Sequence, residues 1–327
     1  MNYNTYIIAE IGINHEGNFN LCKEMVYAAK EAGVKAVKLQ TINPDKSYAK
    51  DTESYKIFSK AKLTSSETEE IFSISKKLNL DIFTTVADIE TAEWIKSLKP
   101  AAWKISSSLF THLPLINHIA SFEERIFLST GLVNYEEIDH VIKVLRSKKK
   151  KNFSLLHCVS KYPTAAEEVN LCRMETLKNK YNVEIGYSDH TNGMLASYIA
   201  VAKGAKVIEK HFTNDNKRKG YDHKISLNYK EMKRMVEGIM LTEKMLSKEV
   251  NFLKVINNNR NQFLRVIVAN DKIYKGEVFN KKNLSIKRVI NNRDGVAPNL
   301  LEKLLGKKSI KNYYKDQIIR KIELKND

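Results

Sequence analysis

Two histidines, His190 in GYSDHT and His211 in EKHFT, each close a short apolar run, and the two runs are consecutive in the chain. At the ends of neighbouring strands they would project into one mouth. A pair of imidazoles suits Mn, Fe, Co or Zn and leaves coordination positions for water and substrate oxygens. Asp189 and Glu209 stand beside them as candidates to orient the rings. Two lysines lie near the ends of other runs, Lys38 in KAVKLQT and Lys104 in WKISSS. Packing does not account for a lysine inside a buried strand, because an unpaired buried ammonium is strongly disfavoured. Either the lysines bind a phosphate or carboxylate, with Thr85, Ser107, Ser129 and Ser160 supplying hydroxyls, or one is a neutral amine poised for Schiff-base chemistry. The histidine pair favours the first role. After the first run comes Asn14, His15, Glu16, Gly17, Asn18, where Glu16 is a candidate acid or base, although a loop glutamate is more often just solvated.

These residues need a scaffold that brings strand ends together. Eight apolar runs, Tyr6 to Ile11, Ala36 to Gln40, Asp81 to Thr85, Ala102 to Ile105, Arg125 to Ser129, Phe153 to Cys158, Glu184 to Ser188 and Val207 to Phe212, read as strands. The stretches Leu21 to Ala32, Ser66 to Leu78, Tyr135 to Arg146, Met194 to Lys203 and Tyr229 to Leu246 show apolar residues at three- and four-residue steps, the helical period. Alternating strand and helix predicts a parallel sheet. Eight units in about 250 residues predict an α/β fold, a (β/α)8 TIM barrel whose strand ends form the active site. A doubly wound open sheet is the competing architecture.

The barrel is expected over residues 1–246. Residues 247–262, ending in an asparagine-rich stretch with weak periodicity, read as a linker. Residues 263–327 hold short β-forming runs, Phe263 to Ala269, Leu284 to Val289 and Gln317 to Leu324, with a turn at Tyr274 to Glu277, and predict a small β-rich domain. The apolar fraction, 43%, supplies a sizeable core. Apolar stretches fall far short of a membrane span, and a strand starts too soon after Met1 for a signal peptide, so a cytoplasmic protein is expected. Cys22, Cys158 and Cys172 are odd in number with no paired metal spacing, and are expected as buried thiols. The formal charge is +17, and from Ser247 onward 19 Lys and Arg stand against 8 Asp and Glu, so +11 lies in the last 81 residues. No nucleic-acid motif accompanies it, and a basic mouth for an anionic substrate explains the charge as well. The run Lys148 to Lys151 reads as a solvated loop after a helix.

AEIGINHEGN at 9–18, KAVKLQT at 35–41, LSTG at 128–131, LLHC at 155–158 with YPT at 162–164, GYSDHT at 186–191 and EKHFT at 209–213 together resemble the sialic acid synthases, which make nonulosonic acids. The stretch 265–288 resembles the antifreeze-like (SAF) domain that closes those enzymes. The resemblance implies a metal-dependent condensation of phosphoenolpyruvate with an open-chain N-acylated hexosamine, releasing phosphate by C–O cleavage. It implies a divalent ion, typically manganese, with magnesium or cobalt as substitutes, on His190 and His211. Carried over by position, Lys38, Thr85, Lys104, Ser107, Ser129, Ser160 and Ser188 would hold phosphoenolpyruvate. Gln40, Tyr162, Asp222 and Glu16 would face the sugar, Glu16 as the proton-transfer group. Arg288 would reach the sugar site of a partner subunit in a domain-swapped homodimer; neither nucleic acid nor membrane is implied as a partner.

The chain departs from the family pattern on the sugar side. Where common members carry KIGSGE, it reads Lys104, Ile105, Ser106, Ser107, Ser108, Leu109, replacing a sugar-contacting glutamate by Leu109. Ser160 replaces a usual asparagine, Val86–Ala87 replace Pro–Phe, Tyr221 replaces a proline in GPDH, and Val289 that of KRP. The exchange at Leu109 suggests a less hydroxylated sugar, such as a 6-deoxy diacetamido hexose. Two other readings remain at this level: a Schiff-base aldolase using Lys104 or Lys38, and a non-catalytic carbohydrate-binding barrel.

Overall fold

The computed structural model describes residues 4–247, 252–290, 292 and 294–325. Eight parallel strands close into a barrel: β1 Tyr6–Gly12, β2 Ala36–Gln40, β3 Asp81–Thr85, β4 Ala102–Ile105, β5 Arg125–Ser129, β6 Phe153–His157, β7 Glu184–Asp189 and β8 Val207–His211. β1 pairs with β8 as well as with β2, so the sheet has no edge and the open-sheet alternative is excluded. Strand limits fall within a residue of those read from the sequence, because strands buried on both faces are near-continuous apolar runs.

Outward residues such as Ile7, Val37, Ile82, Trp103, Ile126, Leu155 and Ile208 join the main core under the surrounding helices. Inward residues do something else. Ile8, Ala36, Phe83, Ala102, Phe127, Leu156 and Val207 form a separate apolar plug. Gly186 completes this layer: a Cβ there would lie 2.5 Å from Leu156 Cδ2 and 2.7 Å from Val207 Cβ, so only glycine fits. Side chains alternate faces along a strand. Two residues beyond the plug, the same inward direction therefore carries Glu10, Lys38, Thr85, Lys104, Ser129 and Glu209. The fold thus builds a polar layer on an apolar floor.

Helices Phe19–Ala32, Ser65–Lys77, Tyr135–Ser147, Leu195–Ala202 and Tyr229–Met245 match the periodic stretches. Thr64 with Glu67, Asn134 with Glu137 and Asn228 with Glu231 form reciprocal caps that start three of them. Two short helices, Pro44–Ser47 and Glu53–Ala61, intervene between β2 and β3.

Residues 1–247 and 248–327 form separate compact units. In the expected linker, Phe252–Phe263 is a helix that belongs to the second unit. That unit also pairs β9 Arg265–Ala269 antiparallel with β10 Leu284–Arg288 over a core including Ile267, Phe279, Val296 and Tyr313. The run expected at Gln317 to Leu324 is no regular strand: isolated bridges at Ile318 and Arg320 lead into a 3-10 turn, Lys321–Lys325. Buried Glu323 fixes this turn by accepting from Tyr313 Oη at 2.7 Å. Two smaller expectations are corrected. Cys172 is exposed, at the start of a helix, while Cys22 and Cys158 are buried. Lys150 is not solvated; its ammonium turns inward to the carbonyls of Phe122 and Glu124.

Candidate active site

At the C-terminal ends of the strands lies a cavity of about 390 Å³. The sequence-predicted residues Lys38, Gln40, Thr85, Lys104, Ser107, Ser129, Ser160, Tyr162, Ser188, His190 and His211 all line it. A cavity of about 480 Å³ shares Gln40 and Ile42 with it but holds neither lysine nor either of these histidines.

The buried lysines are not alone. Lys38 Nζ lies 2.8 Å from Glu10 Oε2 and 3.9 Å from Glu209 Oε2. Lys104 Nζ lies 2.7 Å from Glu209 Oε1. Two ammonium groups and two carboxylates thus share one dry layer, with Ser188 donating to Glu209 at 2.8 Å. Burial alone would raise the Glu209 carboxyl, but Lys104 and then Lys38 hold it well below the usual range. Glu10 has the opposite balance: burial pushes it up to about 7 against the pull of Lys38. Burial also draws Lys104 down, whereas for Lys38 the two carboxylates outweigh burial and raise it.

Glu209 therefore serves the lysines and not the histidines, contrary to its expected place. Asp189 is also elsewhere, turned away from the lumen onto Lys210 at 3.3 Å. Glu10 is the residue sequence reasoning passed over. Its other oxygen accepts from Gln40 Nε2 at 2.9 Å, so it holds Lys38 and Gln40 together. An acidic residue two positions after inward Ile8 was the available signal.

The His190 and His211 rings lie 5.7 Å apart, with Tyr162 tilted over His190 at 4.2 Å. Burial pushes His190 down to about 4 and His211 to about 3, so both are neutral at pH 7 and carry lone pairs. His190 Nδ1 is within 2.7 Å of the Val159 carbonyl, which leaves Nε2, 3.5 Å from Ser188 Oγ, as the nitrogen with the lone pair. Buried His211 Nδ1 has no hydrogen-bond partner; Asp222 Oδ2 is 3.5 Å away. This donor set fits a divalent cation held by two imidazoles, the remaining ligands coming from water or substrate. Among the described residues, no group of three or more His, Cys, Asp or Glu is arranged as a metal site.

One hydroxyl of the cavity is also unsatisfied. Ser129 Oγ is buried without a partner. Ser107 Oγ accepts from the Gly131 amide at 2.9 Å and lies 3.2 Å from Cys158 Sγ. A Cβ at Gly131 would sit 2.6 Å from Ser160 Oγ and 2.7 Å from Cys158 Sγ, so glycine is needed for this close approach.

Glu16 and Asp222 are placed by the loops. Glu16, at φ 56°, accepts from Arg218 Nε at 2.7 Å and lies 3.0 Å from His223 Nε2. The Arg218 hydrogen bond holds its carboxyl below the ordinary value, so it stands ionised, but neither it nor Asp222 is among the side chains that line the cavity. The Asp222 amide donates to Asn14 Oδ1 at 3.1 Å, and burial raises its carboxyl. Arg288 lies in the second unit, on β10, with its guanidinium 4.3 Å over Phe263 and Nε donating to the Gln262 carbonyl. Leu109 does not line the cavity; it packs against the main core, and Ser108 faces the cavity instead.

Residues 25–251 match the NeuB family and residues 265–325 the SAF domain. The N,N'-diacetyllegionaminic acid synthase of Campylobacter jejuni is 36% identical over 97% of this chain and 99% of its own length. The pseudaminic acid synthase of the same organism is 33% identical over 95% of each. The structure of an N-acetylneuraminic acid synthetase from Leptospira borgpetersenii, 32% identical, superposes with a TM-score of 0.75 over 80% of this chain and 93% of that one. With both the barrel and the tail matched in order, the chain belongs to the NeuB family.

Proposed function

We propose that this protein is a nonulosonic acid synthase, which condenses phosphoenolpyruvate with an open-chain N-acylated hexosamine to give a nine-carbon 2-keto acid and phosphate. The observation that carries the reading is the junction, in one cavity, of a lysine-and-hydroxyl anion site with a pair of neutral buried histidines. Its relatives are named for such syntheses.

Lys38, Lys104, Thr85, Ser107, Ser129, Ser160 and Ser188 bind the phosphate and carboxylate of phosphoenolpyruvate. The inward serines and the Gly131 turn fix the anion by short hydrogen bonds, and the low-dielectric floor strengthens each. Gln40, Tyr162 and Asp222 orient the sugar aldehyde toward C3 of phosphoenolpyruvate. A C–C bond forms there, water adds at C2, and the C2–O bond to phosphate breaks. Glu16, kept ionised by Arg218, accepts a proton, whereas Asp222 is the better donor to the aldehyde oxygen. His190 and His211 would hold the divalent cation, manganese or in its place magnesium or cobalt, which supplies Lewis acidity toward the aldehyde. A Schiff-base route is disfavoured at Lys38, whose two carboxylates hold the ammonium form, and at Lys104 the amine is engaged by Glu209 at 2.7 Å. Assembly as a domain-swapped homodimer, with Arg288 serving the partner's sugar, and a cytoplasmic location complete the reading; no helix among the described residues is long and apolar enough to cross a membrane.

The test is phosphate release from phosphoenolpyruvate with manganese, offering N-acetylmannosamine and the 6-deoxy diacetamido hexoses separately, with and without chelator. Release that needs both metal and one sugar is expected. Release that persists in chelator, or trapping of substrate on the protein by borohydride, would sink the metal-dependent mechanism.

A further inference from the structure

The cavity's polar floor contrasts with its rim. Ile42, Tyr48, Phe58 and Leu132 line the same cavity as the lysines and the paired histidines. Tyr48 and Phe58 stack, with centroids 5.3 Å and planes 29° apart. They stand on and beside the two short helices between β2 and β3, Pro44–Ser47 and Glu53–Ala61. Leu132, directly after Gly131, leaves 61% of its surface exposed and belongs to none of the apolar clusters that hold the fold. A phosphate, a carboxylate or a cation has no use for such a surface. Part of the sugar does.

We infer that Ile42, Tyr48, Phe58 and Leu132 form an apolar seat for a methyl-bearing end of the sugar acceptor, which selects 6-deoxy diacetamido hexoses over N-acetylmannosamine. This rests on the synthase reading above. It moves the specificity from Leu109, which is packed into the core, to a set of side chains that faces the substrate. A hydroxymethyl group pressed against this rim loses water without gaining a partner. A methyl group covers apolar surface that is otherwise wet. Ser106 and Ser108, which also line the cavity, leave a hydrogen-bonding side for the acetamido groups. One methyl-for-hydroxymethyl exchange in such a seat discriminates by roughly tenfold or more.

The test compares kcat/KM for the two sugar classes by manganese-supported phosphate release, using the full chain, Leu132→Asn, Phe58→Ala and the apolar control Leu132→Met. The natural chain should prefer the 6-deoxy sugar. Leu132→Asn and Phe58→Ala should each lower the ratio of the two kcat/KM values roughly tenfold, and Leu132→Met should retain it. A natural chain that prefers N-acetylmannosamine, or a ratio unmoved in active Leu132→Asn and Phe58→Ala enzymes, overturns the seat while leaving the synthase in place. A natural chain that releases phosphate with neither sugar overturns the synthase reading, and the seat with it.

Discussion

Two buried lysine–carboxylate groups meet at β8, one facing into the barrel and one out of it, and they are built differently. Inside, Lys104 and Lys38 meet Glu209 and Glu10 under an open cavity. Outside, between β8 and the helix Leu195–Ala202, Lys210 meets Asp189 at 3.3 Å with both side chains wholly buried. The outer group is closed. Asp189 accepts from the Thr191 amide, Thr191 Oγ1 and Ser197 Oγ at 2.7–2.8 Å, and Lys210 donates to the Thr191 carbonyl. The inner group borders Ser129 Oγ and His211 Nδ1, neither of which has a hydrogen-bond partner. A closed network of charges ties a strand end to a helix; an incomplete one waits for a ligand. Burial of charge is common to both, and satisfaction of the surrounding groups separates structure from site.

Exchanging each lysine for an apolar isostere should separate the two roles. On the proposed reaction Lys104→Met removes a charge set against phosphoenolpyruvate, and turnover should fall by about 10³-fold. Its cost in stability should be limited, because Lys38, at 3.9 Å, still faces Glu209. Lys210→Met leaves Asp189 buried beside no cation, a change that costs about 3–5 kcal/mol. Urea unfolding of both variants, with turnover measured on the folded fraction, checks the pair. If Lys104→Met were the less stable one and retained turnover, the inner cluster would be architecture and the site would lie elsewhere.

Most of the barrel and of this cavity was legible in the sequence for one reason. Strands of a closed parallel barrel are apolar on both faces, so a lysine, a glutamate or a histidine at the end of such a run has to face the lumen or be paired. Lys38, Lys104, His190 and His211 stood out on that ground alone. The same logic failed where pairing runs through space: that Glu209 serves Lys104, 105 positions away, and Glu10 serves Lys38 depends on barrel closure, which periodicity does not reveal. Leu109 misled because it was read as an aligned substitution, while its direction is set by a 3-10 turn, Ser107–Leu109. The helix Phe252–Phe263 was hidden by an asparagine-rich stretch of low helix propensity.

Acid offers a third way to tell the inner region apart. Burial lowers His15 and His190 to about 4 and His211 to about 3 in the folded chain, against an ordinary 6.5. Below pH 6.5 the unfolded chain therefore binds more protons, and stability falls with pH by about 1.4 kcal/mol per unit for each histidine. Glu10 acts in the other sense. Its folded carboxyl titrates near 7 against an ordinary 4.5, so between those values the folded chain holds the extra proton and one histidine is offset. For these four groups the net is two protons, so they take about 3 kcal/mol from the metal-free chain for each unit between pH 6 and 5, and burial lowers His157 and His223 in the same sense. Manganese should steepen the fall, because protons and metal compete for the same nitrogens. Urea midpoints at pH 7, 6 and 5, with and without the metal, measure both slopes, and a flat profile would mean that the histidines are hydrated and the cavity wet.

The smallest expected effect is at Glu10, and it asks whether the inner cluster acts as one piece. Glu10→Gln keeps the shape of the side chain and a hydrogen bond to Gln40, but removes the charge held 2.8 Å from Lys38. Lys38 retains only Glu209, so its ammonium is less well anchored and its position over the substrate anion loosens. In the proposed reaction Glu10 anchors Lys38 and carries no proton. Its loss should raise KM for phosphoenolpyruvate by about tenfold, roughly 1.4 kcal/mol, while kcat falls much less. Steady-state kinetics in both substrates decides the point. A fall in kcat with KM unmoved would make Glu10 part of the proton transfer, and the line drawn between the lysine anchors and the reacting groups would have to be redrawn through it.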